Sequence, residues 1–585
     1  MLPAGSRQNN IRKSAYDSWF VHLHLTEGVV ANFVSLGGVA VSNMPVIKYS
    51  KLRVMIADDF SNFRSTVTGM LSKMGVTQIE SVANAASLIR ACESKRYDII
   101  LCDYDLGAGK SGQQALEELH HRGLLPRSSA FIIVSADATK DVVMASYDCE
   151  PNDYLMKPIT AKVLQKRIDR ILLRMETLTP VYQALDAHDS SRAISLLIDI
   201  SVSESRHALY AQKLLGELFI EQGELTKAEK LFTKALEVRP VDWARLGLAK
   251  VKHLAGEFDL AGEWLEKIVS DSPLFLPAYD SLALNWEKRG EYAEVQATVK
   301  RSVGISPKSI LRQKRLAQVA ERNGDLLTAL DALEETIKLG MLSCHASAED
   351  GFNFARVASA SIDKRLAPKD ALCAKALEVL EGVRERFSLT RDQDDRADVL
   401  QGLVMALGGD EEGGRALLES VAGVAKCTEN QALDVSIERV NALQAVGKEA
   451  DAKVFIQQLL EANSFDQAAL ERLDSLLPEP VSEANRVMVA NVNREGIELY
   501  NQHRFDDALE CFQKVSVIFP KHVGVHLNIA QALIGKMQKY PSSDVRDLTR
   551  ETLETISLLV EPGHEQYLRL ERLQQLAVGA NQQTQ

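Results

Sequence analysis

The chain has 585 residues, 46% of them hydrophobic, which is more than one core needs and points to several domains or a repeat array. A net charge of −12 argues against a general nucleic-acid binder, and seven scattered cysteines without paired spacing read as reduced thiols with no metal role. At the start, Arg7, Arg12 and Lys13 precede an apolar run from Val29 to Val41, the outline of a secretory leader. Asn32, Ser35, Gly37 and Gly38 interrupt that run, and it is too short and too polar to span a bilayer. Met44-Pro45 would make a natural start, so residues 1–50 are expected to be a poorly ordered extension or a mis-assigned start.

Four short apolar runs come next, each closing on a polar residue. Val54 to Ala57 ends in Asp58-Asp59, and Ile99 to Cys102 ends in Asp103. Phe131 to Val134 ends in Ser135, and Asp153 to Met156 ends in Lys157-Pro158. Apolar runs bounded by turn signals read as buried strands, and the helix-like segments between them make those strands parallel. Open α/β sheets place their chemistry at the carboxyl ends of the strands. By itself Asp103 could equally be the N-cap of the next helix. An acidic pair, a lone Asp, a hydroxyl and an ammonium at four strand ends, in this order, make chance improbable.

In that order, residues 51–175 resemble the receiver domain of two-component response regulators. The resemblance implies an α/β doubly wound, five-stranded parallel sheet of the flavodoxin-like kind. It implies that Asp103 takes a phosphoryl group from a sensor histidine kinase or phosphotransfer protein. It also implies Mg²⁺ held by Asp58, Asp59, Asp103 and the main-chain carbonyl of Asp105. The chemistry suits these residue types. Three close carboxylates repel unless a cation lies between them, and Mg²⁺ prefers carboxylate oxygen. Lys157 is a compact cation for one phosphoryl oxygen, and Ser135 can donate to another. Tyr154, three residues before Lys157, stands where the family keeps an aromatic that moves with Ser135 on phosphorylation; otherwise it is a half-buried strand residue. Lys157-Pro158 is a candidate cis peptide.

Between these strands, Ile79 to Val82 reads as the second strand and Ser87 to Lys95 as a helix, and Gly112 opens the third helix. The last receiver helix starts near Thr160. Its Lys162, Lys166, Arg170 and Arg174 recur four apart, either as a solvated face or as a stripe that docks on acidic helices further along. No Pro/Gly linker separates this helix from the next, so a stiff join is expected.

From about 176 onward the pattern is helical. After connecting helices over 176–208, Gly216, Gly223, Ala228, Phe232, Ala235 and Pro240 match tetratricopeptide spacing. Gly256, Gly290 and Gly324 continue the turn glycine at 33 or 34 residues, and Pro273 and Pro307 continue the closing proline. Residues 209–340 therefore resemble tetratricopeptide (TPR) repeats. The consensus frays over 341–490, where Gly447 and Ala452 keep phase, and returns over 491–575 at Gly496, Ala508, Phe512 and Pro520; 576–585 reads as a tail. The expectation is one all-α TPR solenoid. Its alternative is two blocks with a hinge near 340–370 or at Leu477-Pro478-Glu479-Pro480. Gly408-Gly409-Asp410-Glu411-Glu412 looks like a diguanylate cyclase signature, but helical flanks make it an inter-helix turn. Trp243, Trp264 and Trp286 read as inter-repeat packing, with Trp264 a candidate for exposure.

Solenoid surfaces bind other polypeptides. The resemblance thus implies a cytoplasmic bacterial response regulator whose phosphorylation controls protein–protein binding by its repeats. The alternative is a phosphate sink or adaptor whose repeats recruit the kinase. A DNA-binding regulator is disfavoured by the acidic charge and the missing DNA-binding domain. A homodimer is compatible with the sequence. No enzyme activity beyond Mg-dependent phosphotransfer to itself and its reversal is expected.

Overall fold

In a computed structural model, the structure describes residues 48–136, 149–203, 205–420, 433–519, 521–560 and 563–582. The expectations for residues 1–47, Pro520 and the last residues of the tail lie outside them. The chain divides into two compact units, residues 1–350 and 351–585.

The first unit opens with a five-stranded parallel sheet of order β2-β1-β3-β4-β5: β1 (Arg53–Ala57), β2 (Gln78–Val82), β3 (Ile99–Asp103), β4 (Ala130–Ser135) and β5 (Asp153–Met156). Helices α1 (Ser61–Lys73), α2 (Ala85–Ser94) and α3 (Gly112–His121) connect them, and α4 (Ala161–Asp186) comes after β5. Alternation along the strands builds two cores. Met55, Ile100, Cys102, Phe131 and Ile133 face Leu88 of α2 and Leu116 of α3. Val54, Ile56, Leu101, Ile132 and Val134 face Leu71 of α1 and Leu164 and Ile168 of α4. Strands apolar on both faces need such cover on both sides.

Helix α4 has 26 residues, about 39 Å at 1.5 Å per residue. It passes through position 175 without a break, so the receiver and the repeat region share one helix. Its far end and α5 (Ser190–Val202) were expected as connectors. Instead Leu178, Val181, Tyr182 and Leu197 pack into one core with Tyr210, Phe219 and Phe232 of the first repeat.

Antiparallel pairs continue the chain: α6 (Ala208–Glu221) with α7 (Leu225–Val238), α8 (Asp242–Leu254) with α9 (Phe258–Asp271), α10 (Leu276–Arg289) with α11 (Tyr292–Ile305), and α12 (Ile310–Arg322) with α13 (Leu326–Gly340). The turn glycines Gly223, Gly256, Gly290 and Gly324 all have positive φ, between 72° and 82°. Close approach explains the small residues. A Cβ on Gly216 would fall 2.4 Å from the Phe232 ring. The three tryptophans are half-buried against the repeat cores, Trp264 included.

The second unit is helical among its described residues. Gly496 repeats the Gly216 arrangement, since a Cβ there would fall 2.4 Å from the Phe512 ring. Gly409, at φ 105°, ends the helix Arg391–Gly408 just before the helix Glu411–Ser420, which makes the cyclase-like string an inter-helix turn. The proline-rich candidate hinge is tied down. Buried Asp474 accepts from the Val481 amide at 2.6 Å and from the Ser482 hydroxyl at 2.5 Å. Where a tail was expected from 576, helix Tyr567–Gln582 continues, with Leu570, Leu573 and Ala577 buried.

Candidate functional site

All four polar strand ends meet at the carboxyl edge of the sheet. Asp58 and Asp59 follow β1, Asp103 closes β3, Ser135 closes β4 and Lys157 follows β5. The order β1-β3-β4-β5 makes these ends neighbours. The Lys157 ammonium bridges two carboxylates, at 2.6 Å from Asp103 Oδ2 and 2.8 Å from Asp58 Oδ2. Asp58 and Asp103 are only 1% and 6% exposed, whereas Asp59 lies open. One oxygen from each of Asp58, Asp59 and Asp103 lies within 4.8 Å of the others.

Burial pushes the Asp103 carboxyl up to about 6; the neighbouring Asp58 adds to this and Lys157 opposes it. Burial works against the Lys157 ammonium, yet its bonds to Asp103 and Asp58 hold its pKa above the ordinary value. The donor set fits a hard divalent cation: three carboxylates converge beside an ammonium that pairs with only two of them, and carboxylate oxygen is what Mg²⁺ prefers.

Local structure holds these groups. Asp58 Oδ1 accepts from the Phe60 amide at 2.9 Å, and Arg64 donates to the carbonyls of Asp58 at 2.6 Å and Asp59 at 3.1 Å. Ser111 caps α3 in a reciprocal box with Gln114. Gly112 is obligatory, because a Cβ there would fall 2.0 Å from the Asp103 carbonyl oxygen. Asp105 is exposed, and its side chain accepts from the Gly107 amide at 3.0 Å. Ser135 is buried, and its carbonyl accepts from the Lys157 amide at 2.8 Å. Tyr154 is half-buried against the core beneath α3. The Lys157-Pro158 peptide is cis.

Two groups escaped the sequence reading. The Phe63 ring lies 4.2 Å under the Lys157 ammonium, and Arg64 ties down the acidic turn. Both sit in the first turn of α1, directly after the acidic pair, where side chains face back over the strand end. The basic stripe fares differently from its docking expectation. Arg170 pairs with Asp153 of β5 at 2.8 Å, Arg174 lies over the Tyr210 ring of α6, and Lys162 and Lys166 are exposed.

A parallel sheet carrying these residues at its carboxyl edge, continued by helix pairs, defines a class: a doubly wound α/β domain joined to helical repeats. The family profile of the response regulator receiver domain matches residues 54–169, and that of the tetratricopeptide repeat matches residues 213–274. The chain thus carries a receiver domain followed by TPR repeats. Among curated relatives, it is 25% identical to chemotaxis protein CheY of Pseudomonas aeruginosa over 124 residues, 21% of this chain and 98% of that protein. It is 24% identical to CheY-3 of Vibrio cholerae over 138 residues, 23% of this chain and all of that protein. Among solved structures, Vibrio cholerae CheY4 covers 21% of this chain and 98% of its own length, at 17% identity and a TM-score of 0.20. No described helix is long and apolar enough to cross a membrane.

Proposed function

We propose that Asp103 is a phosphoacceptor and that its phosphorylation controls what the TPR repeats bind. The observation that carries this reading is the Lys157 ammonium bridging Asp103 and Asp58 beside Asp59. An Asp103 carboxylate oxygen attacks the phosphorus of a phosphohistidine on a histidine kinase or phosphotransfer protein. The O–P bond forms as the P–N bond breaks, and the imidazole leaves with the electron pair. Lys157 swings with the new phosphoryl group and neutralises one of its oxygens, and the Ser135 hydroxyl donates to another. Asp58, Asp59, Asp103 and the Asp105 carbonyl would hold Mg²⁺, which supplies charge neutralisation for the transferring group. Tyr154 follows Ser135 inward.

The test uses the full chain with a small phosphodonor and Mg²⁺, followed by intact-mass measurement. The expected result is one added phosphoryl group, lost in Asp103→Asn and formed about 100-fold more slowly in Lys157→Ala. Undiminished labelling of Asp103→Asn would overturn the assignment.

A further inference from the structure

Within the first unit, the receiver also meets the repeats through Tyr104 and α3. A cleft of about 240 Å³ is lined by Tyr104, Gln113, Gln114 and Glu117 of the receiver and by Lys308 and Leu339 of the repeats. Lys308 Nζ stands 6.0 Å from the centre of the Tyr104 ring. At the far end of α3, the rings of His121 and His345 meet edge-on at 5.5 Å. Tyr104 directly follows Asp103, and its carbonyl accepts from the amide of Gly112, the residue pressed on the Asp103 carbonyl.

Glu217 of α6 and Lys250 of α8 are both shifted toward their neutral forms by burial. The charges around Lys250 include Asp280 of α10 and Glu150 of the receiver. Cys344 lies beside Glu117 and Glu118 of α3, and burial pushes its thiol up to about 11. Solenoids bind their partners along such faces.

We infer that the receiver is a resident occupant of its own repeats: the face formed by Tyr104 and α3 covers the repeat surface around Lys308 and His345, and phosphorylation of Asp103 is read there. The phosphorylation half rests on the reading of Asp103 as phosphoacceptor. The physical link is short. Tyr104 and Tyr154 pack into the same core beneath α3, so a shift at either the acceptor or the Ser135–Tyr154 pair is felt by the helix that meets the repeats. A protein partner of these repeats must then displace the receiver, and its apparent affinity is lowered by the fraction of chains in which the face is covered.

Amide hydrogen exchange on the full chain tests this, with and without beryllofluoride and Mg²⁺ as a phosphoryl mimic. In Lys308→Glu, and separately in His121→Glu, exchange should rise about threefold or more in both segments 104–121 and 308–345 without the mimic. In the unsubstituted chain the mimic should change exchange in the same two segments. Unchanged exchange there in both variants overturns the docking face. Unchanged exchange on adding the mimic, while peptides holding Asp58 and Lys157 become protected, overturns the phosphorylation link alone. Absence of protection at those peptides, together with no phosphoryl uptake by mass, refutes the phosphoacceptor reading and removes the link with it, leaving the docking face to be decided by the two variants.

Discussion

Asp103 and Lys157 meet because each closes an apolar run at the same carboxyl edge of one parallel sheet. Phe63 was not legible in the sequence. Its role exists only once Lys157, after β5, reaches the first turn of α1, and no local spacing encodes that approach. His207 belongs to the same hidden class. It sits at the start of α6, and burial lowers its pKa, helped by the charges of Arg206 and Arg174. The folded chain therefore resists protonating an imidazole that the unfolded chain protonates near 6.5. This stabilisation is complete above about pH 6.5 and is lost as the pH falls through the depressed folded value. The urea midpoint should drop between pH 7.5 and pH 5.5, and His207→Gln should drop less over the same interval.

Element by element, the repeats show why some turns were visible and others were not. Gly223, Gly256, Gly290 and Gly324 announce the left-handed turn because glycine adopts it at little cost. The same backbone sign recurs at His188, Arg365 and His503, with φ of 57°, 55° and 60°. A side chain at Arg365 hides that turn from a glycine search, which is one reason the phase was lost around 341–490. Arg365 is exposed, so Arg365→Gly should relieve strain and stabilise the second unit by about 0.5–1 kcal/mol, read as a higher urea midpoint. Gly216 tests the opposite case. Gly216→Ala drives a methyl into Phe232 and should cost about 1–3 kcal/mol. Phe232→Leu in the same chain should recover part of that loss, because the clash is with the ring. A double substitution no better than the sum of its parts would contradict the close-approach account.

For the whole molecule, the charge balance sets a testable expectation. With a net charge of −12, the full chain should leave the anisotropy of a labelled DNA duplex unchanged even at about 50 mM salt. Binding that weakened steeply with added salt would revive a DNA-directed role. Connectivity at this scale runs through α4, which belongs to both the receiver core and, past position 175, the core of the first repeat.

Periodicity and strand-end chemistry are local properties, so the residues alone disclosed the receiver, its acidic pocket and the best-phased repeats. Contacts between segments far apart in the chain are not periodic, and only folding decided them. The ring of Phe63 beneath Lys157 and the meeting of Tyr104 with Lys308 arise from packing. There a side chain's partner is chosen by shape and desolvation, not by its position in a repeat.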